Sequence, residues 1–139
     1  MEWLITSEAE WVNVAKDIAP LLKKGDIVAL HGTLGVGKTT FVRALVSELL
    51  HEEVDVPSPT FTLLQSYDTP NFVLHHFDCY RLKSPDEAYE LGIEDAFWDG
   101  VSMIEWPEKI ASILPSKHKA LFFELQSNGH RKVRAEGFK

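Results

Sequence analysis

The sequence predicts an α/β fold: a mixed sheet flanked by helices, with antiparallel additions and a C-terminal β-hairpin. Three observations point to it. The apolar run Ile27 to Leu30 leads through a glycine-rich turn into an amphipathic stretch from Thr39 to Leu50, which reads as a strand followed by a crossover helix. Two strand-like runs flank Asp68-Thr69-Pro70-Asn71, a turn composition whose Pro cannot donate to a ladder. Near the end of the chain Asn128-Gly129 separates two more such runs.

Composition agrees with one cored unit. A chain of 139 residues is the length of one domain, and 45% apolar beside 25% charged residues is a globular balance. With no repeat, low-complexity stretch or Gly/Ser linker, a single domain over 1–139 is expected. Apolar runs are far shorter than the roughly 20 residues of a membrane-spanning helix. The start, Met1-Glu2-Trp3, lacks the pattern of a secretory signal, and the single Cys79 cannot form an internal disulfide, so a cytoplasmic location is expected. The net charge of −7 opposes strong binding to a phosphate backbone by this chain alone. Charge is also uneven: Asp86 to Glu108 holds eight acids and no Lys or Arg, whereas Asn128 to Lys139 holds four basic residues and one acid.

In chain order, a strand at Trp3 to Thr6 leads into a helix opened by Ser7 and Glu10, the spacing at which a hydroxyl and a carboxylate satisfy unpaired amides. Trp11, Ala15, Ile18 and Leu22 share one face of that helix, and Lys23-Lys24-Gly25 ends it. After the strand Ile27 to Leu30, the second helix packs through Phe41, Leu45 and Leu49. Phe61 to Tyr67 and Phe72 to Asp78 form an antiparallel pair, and Ser84-Pro85-Asp86-Glu87 opens another helix. Val101 to Glu105 is a core strand. Asn128-Gly129 suits a two-residue hairpin turn between Ala120 to Gln126 and Arg131 to Ala135.

The decisive stretch is Gly32-Thr33-Leu34-Gly35-Val36-Gly37-Lys38-Thr39, which fills every required position of the phosphate-binding loop pattern and sits between strand and helix as that pattern demands. The sheet is therefore expected to be P-loop NTPase-like. Its glycines let successive amides face phosphate oxygens, Lys38 bridges the terminal phosphates, and Thr39 offers a hydroxyl to magnesium at the positive end of the helix. Such a loop needs a carboxylate beyond a neighbouring strand, and two acids here end apolar strands. Glu105, just before Trp106-Pro107, is the favoured metal ligand. Asp78 has three readings: orienting the attacking water, accepting its proton, or completing the magnesium shell.

The remaining candidates are weaker. Ser58 or Thr60 stands where nucleotide switches place a phosphate-sensing hydroxyl, though a Pro-stiffened strand entry explains Ser58-Pro59-Thr60 as well. Arg81 is better placed than Arg43 to neutralise transition-state charge. His75 and His76 alternate on a strand, so only one is expected to face the core, and both read as structural. Cys79 reads as a small filler rather than a nucleophile.

With these residues laid out, the chain closely resembles the TsaE (YjeE) family, the P-loop ATPase component of bacterial tRNA threonylcarbamoyladenosine synthesis. The resemblance rests on the loop ending Lys38-Thr39-Thr40, on Ser58-Pro59-Thr60-Phe61, and on His76-Phe77-Asp78-Cys79-Tyr80-Arg81-Leu82. Leu91-Gly92, Ile104-Glu105-Trp106-Pro107 and Leu114-Pro115 continue it in family order. It implies that Lys38, Asp78, Glu105 and Trp106 form the catalytic set and that Thr39 and Glu105 bind Mg2+. It also implies that Gly35, Val36, Gly37, Lys38, Thr39 and Thr40 hold ATP. The base would lie between Ser7 or Glu8 and the final hairpin at Gly129, His130 and Arg131. The implied partners are the TsaB and TsaD subunits, which carry out the transfer to tRNA, so that tRNA is met only through the complex. Thr33, Val36, Cys79 and Trp11 depart from the residues most frequent in the family.

Two rivals use the same loop. A small-molecule kinase would need a lid to clamp phosphates, but the segment Asp86 to Asp99 is acidic. A guanine-nucleotide switch would need an Asn-Lys-x-Asp sequence, which the chain lacks.

Overall fold

The computed structural model describes residues 1–53 and 63–138. Among them seven strands form one sheet: β1 (Glu2–Ile5), β2 (Ile27–His31), β3 (Leu64–Asp68), β4 (Val73–Asp78), β5 (Gly100–Glu105), β6 (Lys119–Leu125) and β7 (Arg131–Glu136). Their order is β1-β7-β6-β2-β5-β4-β3. The central four, β6, β2, β5 and β4, run parallel, and β7, β1 and β3 add antiparallel edges. This is the mixed sheet with antiparallel additions that the sequence predicts.

Among the described residues, four α-helices cover the sheet: α1 (Trp11–Ile18), α2 (Lys38–Leu50), α3 (Asp86–Glu90) and α4 (Ile93–Asp99). A parallel centre buried on both faces reads as a continuous apolar run, as β2 does over Ile27 to Leu30, while β5 is buried throughout with Ser102 among its apolar residues. Against one face pack Trp11, Val14 and Ile18 of α1 and Phe41, Val42 and Leu45 of α2. Against the other pack Ala88 of α3, Ile93 and Ala96 of α4, and Ile110. Burying these side chains supplies the main drive for folding, at about 1.5–3 kcal/mol for each large one.

Local signals explain the element ends. The Glu10 carboxylate accepts the backbone N–H groups of Thr6 at 2.9 Å and Ser7 at 3.0 Å, so the opening of the first helix carries the acid half of the expected cap. Those bonds, with the Thr6 hydroxyl foremost, hold the Glu10 carboxyl below its ordinary value. The first turn, Glu8–Glu10, is 3-10 rather than α, and Ala19–Leu21 closes the helix the same way. At α3 the Glu87 carboxylate reaches back to the Lys83 N–H at 2.7 Å.

Two expectations change. The hairpin turn is longer than two residues: Gln126 N–H donates to His130 O at 2.7 Å and Gly129 N–H to Gln126 O at 3.0 Å. Gly129 has φ 85° while Asn128 is not left-handed, the pattern of a type I turn completed by one left-handed glycine. Among the described residues the antiparallel pair begins at Leu64, after Leu63 with φ 66°; Phe61 and the Ser58 and Thr60 candidates lie outside the described residues. No described helix is long and apolar enough to cross a membrane.

Candidate functional site

The glycine loop leaves β2 at its C-terminal end, beside the C-terminal ends of β5 and β4, the crevice where open α/β sheets receive ligands. Gly35 and Gly37 carry φ of 76° and 119°, a region costly for any residue with a β-carbon. Gly37 has a second constraint, because a β-carbon there would stand 2.3 Å from the Trp11 ring. Val36 turns its side chain into the core, and its N–H points to Thr33 O at 3.3 Å. In this conformation the loop therefore folds partly on itself.

Lys38 opens α2 and is buried, with Nζ donating to Gly32 O at 2.7 Å and lying 3.9 Å from the centre of the Trp106 ring. Burial pulls its pKa below the ordinary lysine value, against the opposing pull of Glu105, Glu108 and Asp78. Trp106 reaches that position through a left-handed backbone, φ 58° and ψ 52°, immediately before Pro107. Its ring also meets Tyr80, with centroids 4.9 Å apart.

Thr39 and Glu105, distant in sequence, meet directly: the Thr39 hydroxyl donates to Glu105 Oε2 at 2.8 Å. Asp78 is the parallel-register partner of Glu105 on β4, so the two strand-end acids stand side by side, both buried. The Asp78 carboxylate accepts the Tyr80 N–H at 3.0 Å. These groups are hard oxygen donors, the set that suits Mg2+, which keeps much of its water and takes one or two carboxylates together with phosphate oxygens. Two buried carboxylates, Asp78 and Glu105, thus stand beside one buried ammonium, Lys38.

Sequence reasoning missed His76. Its Nε2 lies 2.6 Å from Glu105 Oε2, and its ring is fully buried. The expectation that one histidine of the pair would face away from the core fails because β4 is covered on both faces: both are buried. His75 bridges Ser66 Oγ at 2.8 Å and Asp99 Oδ1 at 2.7 Å on the opposite side. The signal for His76 was its position two residues before Asp78, which puts both on one face of the strand.

Gly35 and Gly37 of the loop line two cavities among the described residues. One, about 370 Å³, is lined by Lys38, Thr39, Asp78, Arg81, Glu105 and Trp106 among others. The other, about 360 Å³, is lined by Ser7, Glu8, Trp11, Gly129 and Arg131 together with Gly35, Gly37 and Thr40. Chain segments from both ends of the sequence thus converge on the loop. His130 lines neither cavity; its N–H donates to Asn128 Oδ1 at 3.0 Å within the turn. Arg43 is exposed on α2 and borders a separate surface hollow with Glu48, Glu52 and Glu53. Cys79 is buried, and burial with the nearby Asp78 pushes its thiol up to about 12, which suits a filler.

Residues 5–134 match the family model described as threonylcarbamoyl adenosine biosynthesis protein TsaE. The chain belongs to the TsaE family. Among its TsaE relatives, the tRNA threonylcarbamoyladenosine biosynthesis protein TsaE of Rickettsia bellii is 49% identical over 81% of this chain and 78% of its own. The protein of the same name from Rickettsia felis is 47% identical over 80% of this chain and 65% of its own length. The crystal structure of Bacillus subtilis YdiB superposes with a TM-score of 0.75 at 28% identity, over 96% of this chain and 82% of that one. The TsaE assignment sets aside the kinase and guanine-switch readings.

Proposed function

We propose that this chain is one P-loop domain that binds and hydrolyses ATP with Mg2+ in the cytoplasm, as the ATPase subunit of tRNA threonylcarbamoyladenosine biosynthesis. It works with TsaB and TsaD, which perform the transfer, and it does not transfer the threonylcarbamoyl group itself. The observation that carries the reading is the 2.8 Å bond between Thr39 and Glu105, which joins the loop hydroxyl to the strand-end carboxylate.

Each residue then has a task. Loop amides and the α2 N-terminus receive the phosphates, and Lys38 exchanges the Gly32 carbonyl for a terminal phosphate oxygen. Thr39 and Glu105 hold Mg2+, which when bound neutralises charge on the terminal phosphates. Asp78 stands beside Glu105 to orient water, and Trp106 closes the ring of groups around Lys38.

Calorimetric titration of ATP with Mg2+ and a turnover assay test this. Lys38→Ala should weaken ATP binding by about tenfold or more, the worth of a lost charged hydrogen bond. Glu105→Ala should leave ATP binding within a few-fold and chiefly lower turnover. Absence of saturable binding by the unaltered protein would overturn the reading.

A further inference from the structure

We infer that His76 is a positioning residue for the metal site: its Nε2–H clamps Glu105 Oε2 so that the carboxylate meets the Thr39 hydroxyl and any cation bound there. The inference rests on the nucleotide reading above and extends it to a residue outside the metal-binding pair.

The ring's proton is fixed by its surroundings. A carboxylate only accepts, so a 2.6 Å contact between Nε2 and Oε2 places the proton on Nε2. Nδ1 is buried and has no hydrogen-bond partner among the described residues. The alternative tautomer would strand an N–H in the core and set a ring lone pair against carboxylate lone pairs. The Nε2–H form avoids both.

Packing does not explain the residue. His76 sits between Leu74 and Asp78 on one face of β4, and its ring is fully buried. An aliphatic side chain would fill that space without leaving Nδ1 unsatisfied. What the imidazole supplies is a donor aimed at Glu105. Glutamate has one more side-chain torsion than aspartate, so a strand-end Glu needs an anchor to present one oxygen reproducibly. Oε2 receives two donors, Thr39 at 2.8 Å and His76 at 2.6 Å, from the two elements that flank the cleft, α2 and β4. Oε1 is outside both bonds and completes a carboxylate oriented before any ligand arrives. A metal-site carboxylate held by an outer partner is a recurrent arrangement.

The test separates anchoring from folding and from turnover. Mn2+ binding to the protein with a non-hydrolysable ATP analogue is followed by electron paramagnetic resonance, and analogue binding is measured separately in a chelator. His76→Leu should weaken Mn2+ binding by about tenfold or more while metal-free analogue affinity stays within about twofold. His76→Gln, whose amide nitrogen reaches near the Nε2 position, should recover most of the loss. A cooperatively folded His76→Leu with undiminished Mn2+ affinity overturns the inference, as does a folded Gln variant no better than Leu. Nitrogen-15 spectra of the unaltered protein decide the matter even if a variant fails to fold: Nε2-protonated His76 is expected, and an Nδ1-protonated ring overturns it. Unaltered protein that binds no analogue at all would refute the nucleotide reading instead, and the spectra would then judge the His76–Glu105 clamp alone.

Discussion

At Trp106 the backbone takes a left-handed conformation that costs a residue with a β-carbon about 1–2 kcal/mol, and the ring so placed lies over the Lys38 ammonium. Strain and desolvation thus meet at one point of the cleft. For Lys38 the sign of the consequence is fixed: burial lowers its pKa, so the unfolded chain binds the proton more readily than the folded one. Stability therefore rises with pH through the window that ends near the ordinary lysine value of 10.5. In Lys38→Met that component is absent. Denaturant midpoints measured from pH 7 to 10.5 should show the unaltered protein gaining on the variant as pH rises. A constant gap between the two would refute the burial effect. Lys38, Thr39 and Glu105 were legible in the sequence because each is fixed by a neighbour in the chain: the glycines before Lys38, the helix after Thr39, and Pro107 beyond Glu105. His76 was not, because alternation along a strand says which residues share a face but not whether both faces are covered.

Among the elements, the final hairpin shows how a local signal can be right in kind and wrong in detail. Asn128-Gly129 marks the turn, but the dipeptide serves both a two-residue turn with two left-handed residues and a longer one with a single left-handed glycine. The closing bond from Gln126 to His130 selects the second. Strand register decides between them, since Leu125 pairs with Arg131 and Val133 must face the core opposite Phe123. Register is set by tertiary packing, which the dipeptide does not carry. Gly129 has φ 85° and nothing within 4 Å of where a β-carbon would stand, so Gly129→Ala isolates the backbone cost. The expected loss is about 1 kcal/mol, read as a lower denaturant midpoint with unchanged slope. Asn128→Ala, at a position without positive φ, escapes that strain and loses instead the 3.0 Å bond that its Oδ1 accepts from the His130 N–H. An unchanged midpoint in Gly129→Ala would contradict the turn type.

For the whole molecule, the sheet order has the consequence that matters most: β7 pairs with both β6 and β1, so the two ends of the chain meet at one edge beside the glycine loop. The cavity bounded by Ser7, Glu8, Gly129 and Arg131 exists only because that edge is assembled, whereas the cleft around Lys38 and Glu105 is built from the sheet's parallel centre. A ligand with a base and phosphates would touch both, and a bare polyphosphate would touch only the centre. Hydrogen exchange distinguishes them. ATP with Mg2+ should slow exchange at Gly35 to Thr40 and also at Ile5 to Ser7 and Gly129 to Arg131, whereas tripolyphosphate with Mg2+ should slow only the loop. Identical patterns for the two ligands would mean that the edge cavity takes no base. Protection of the edge by ATP alone would instead show that the chain's distant ends act as one half of a single nucleotide site, joined to the other half through the glycine loop that lines both cavities.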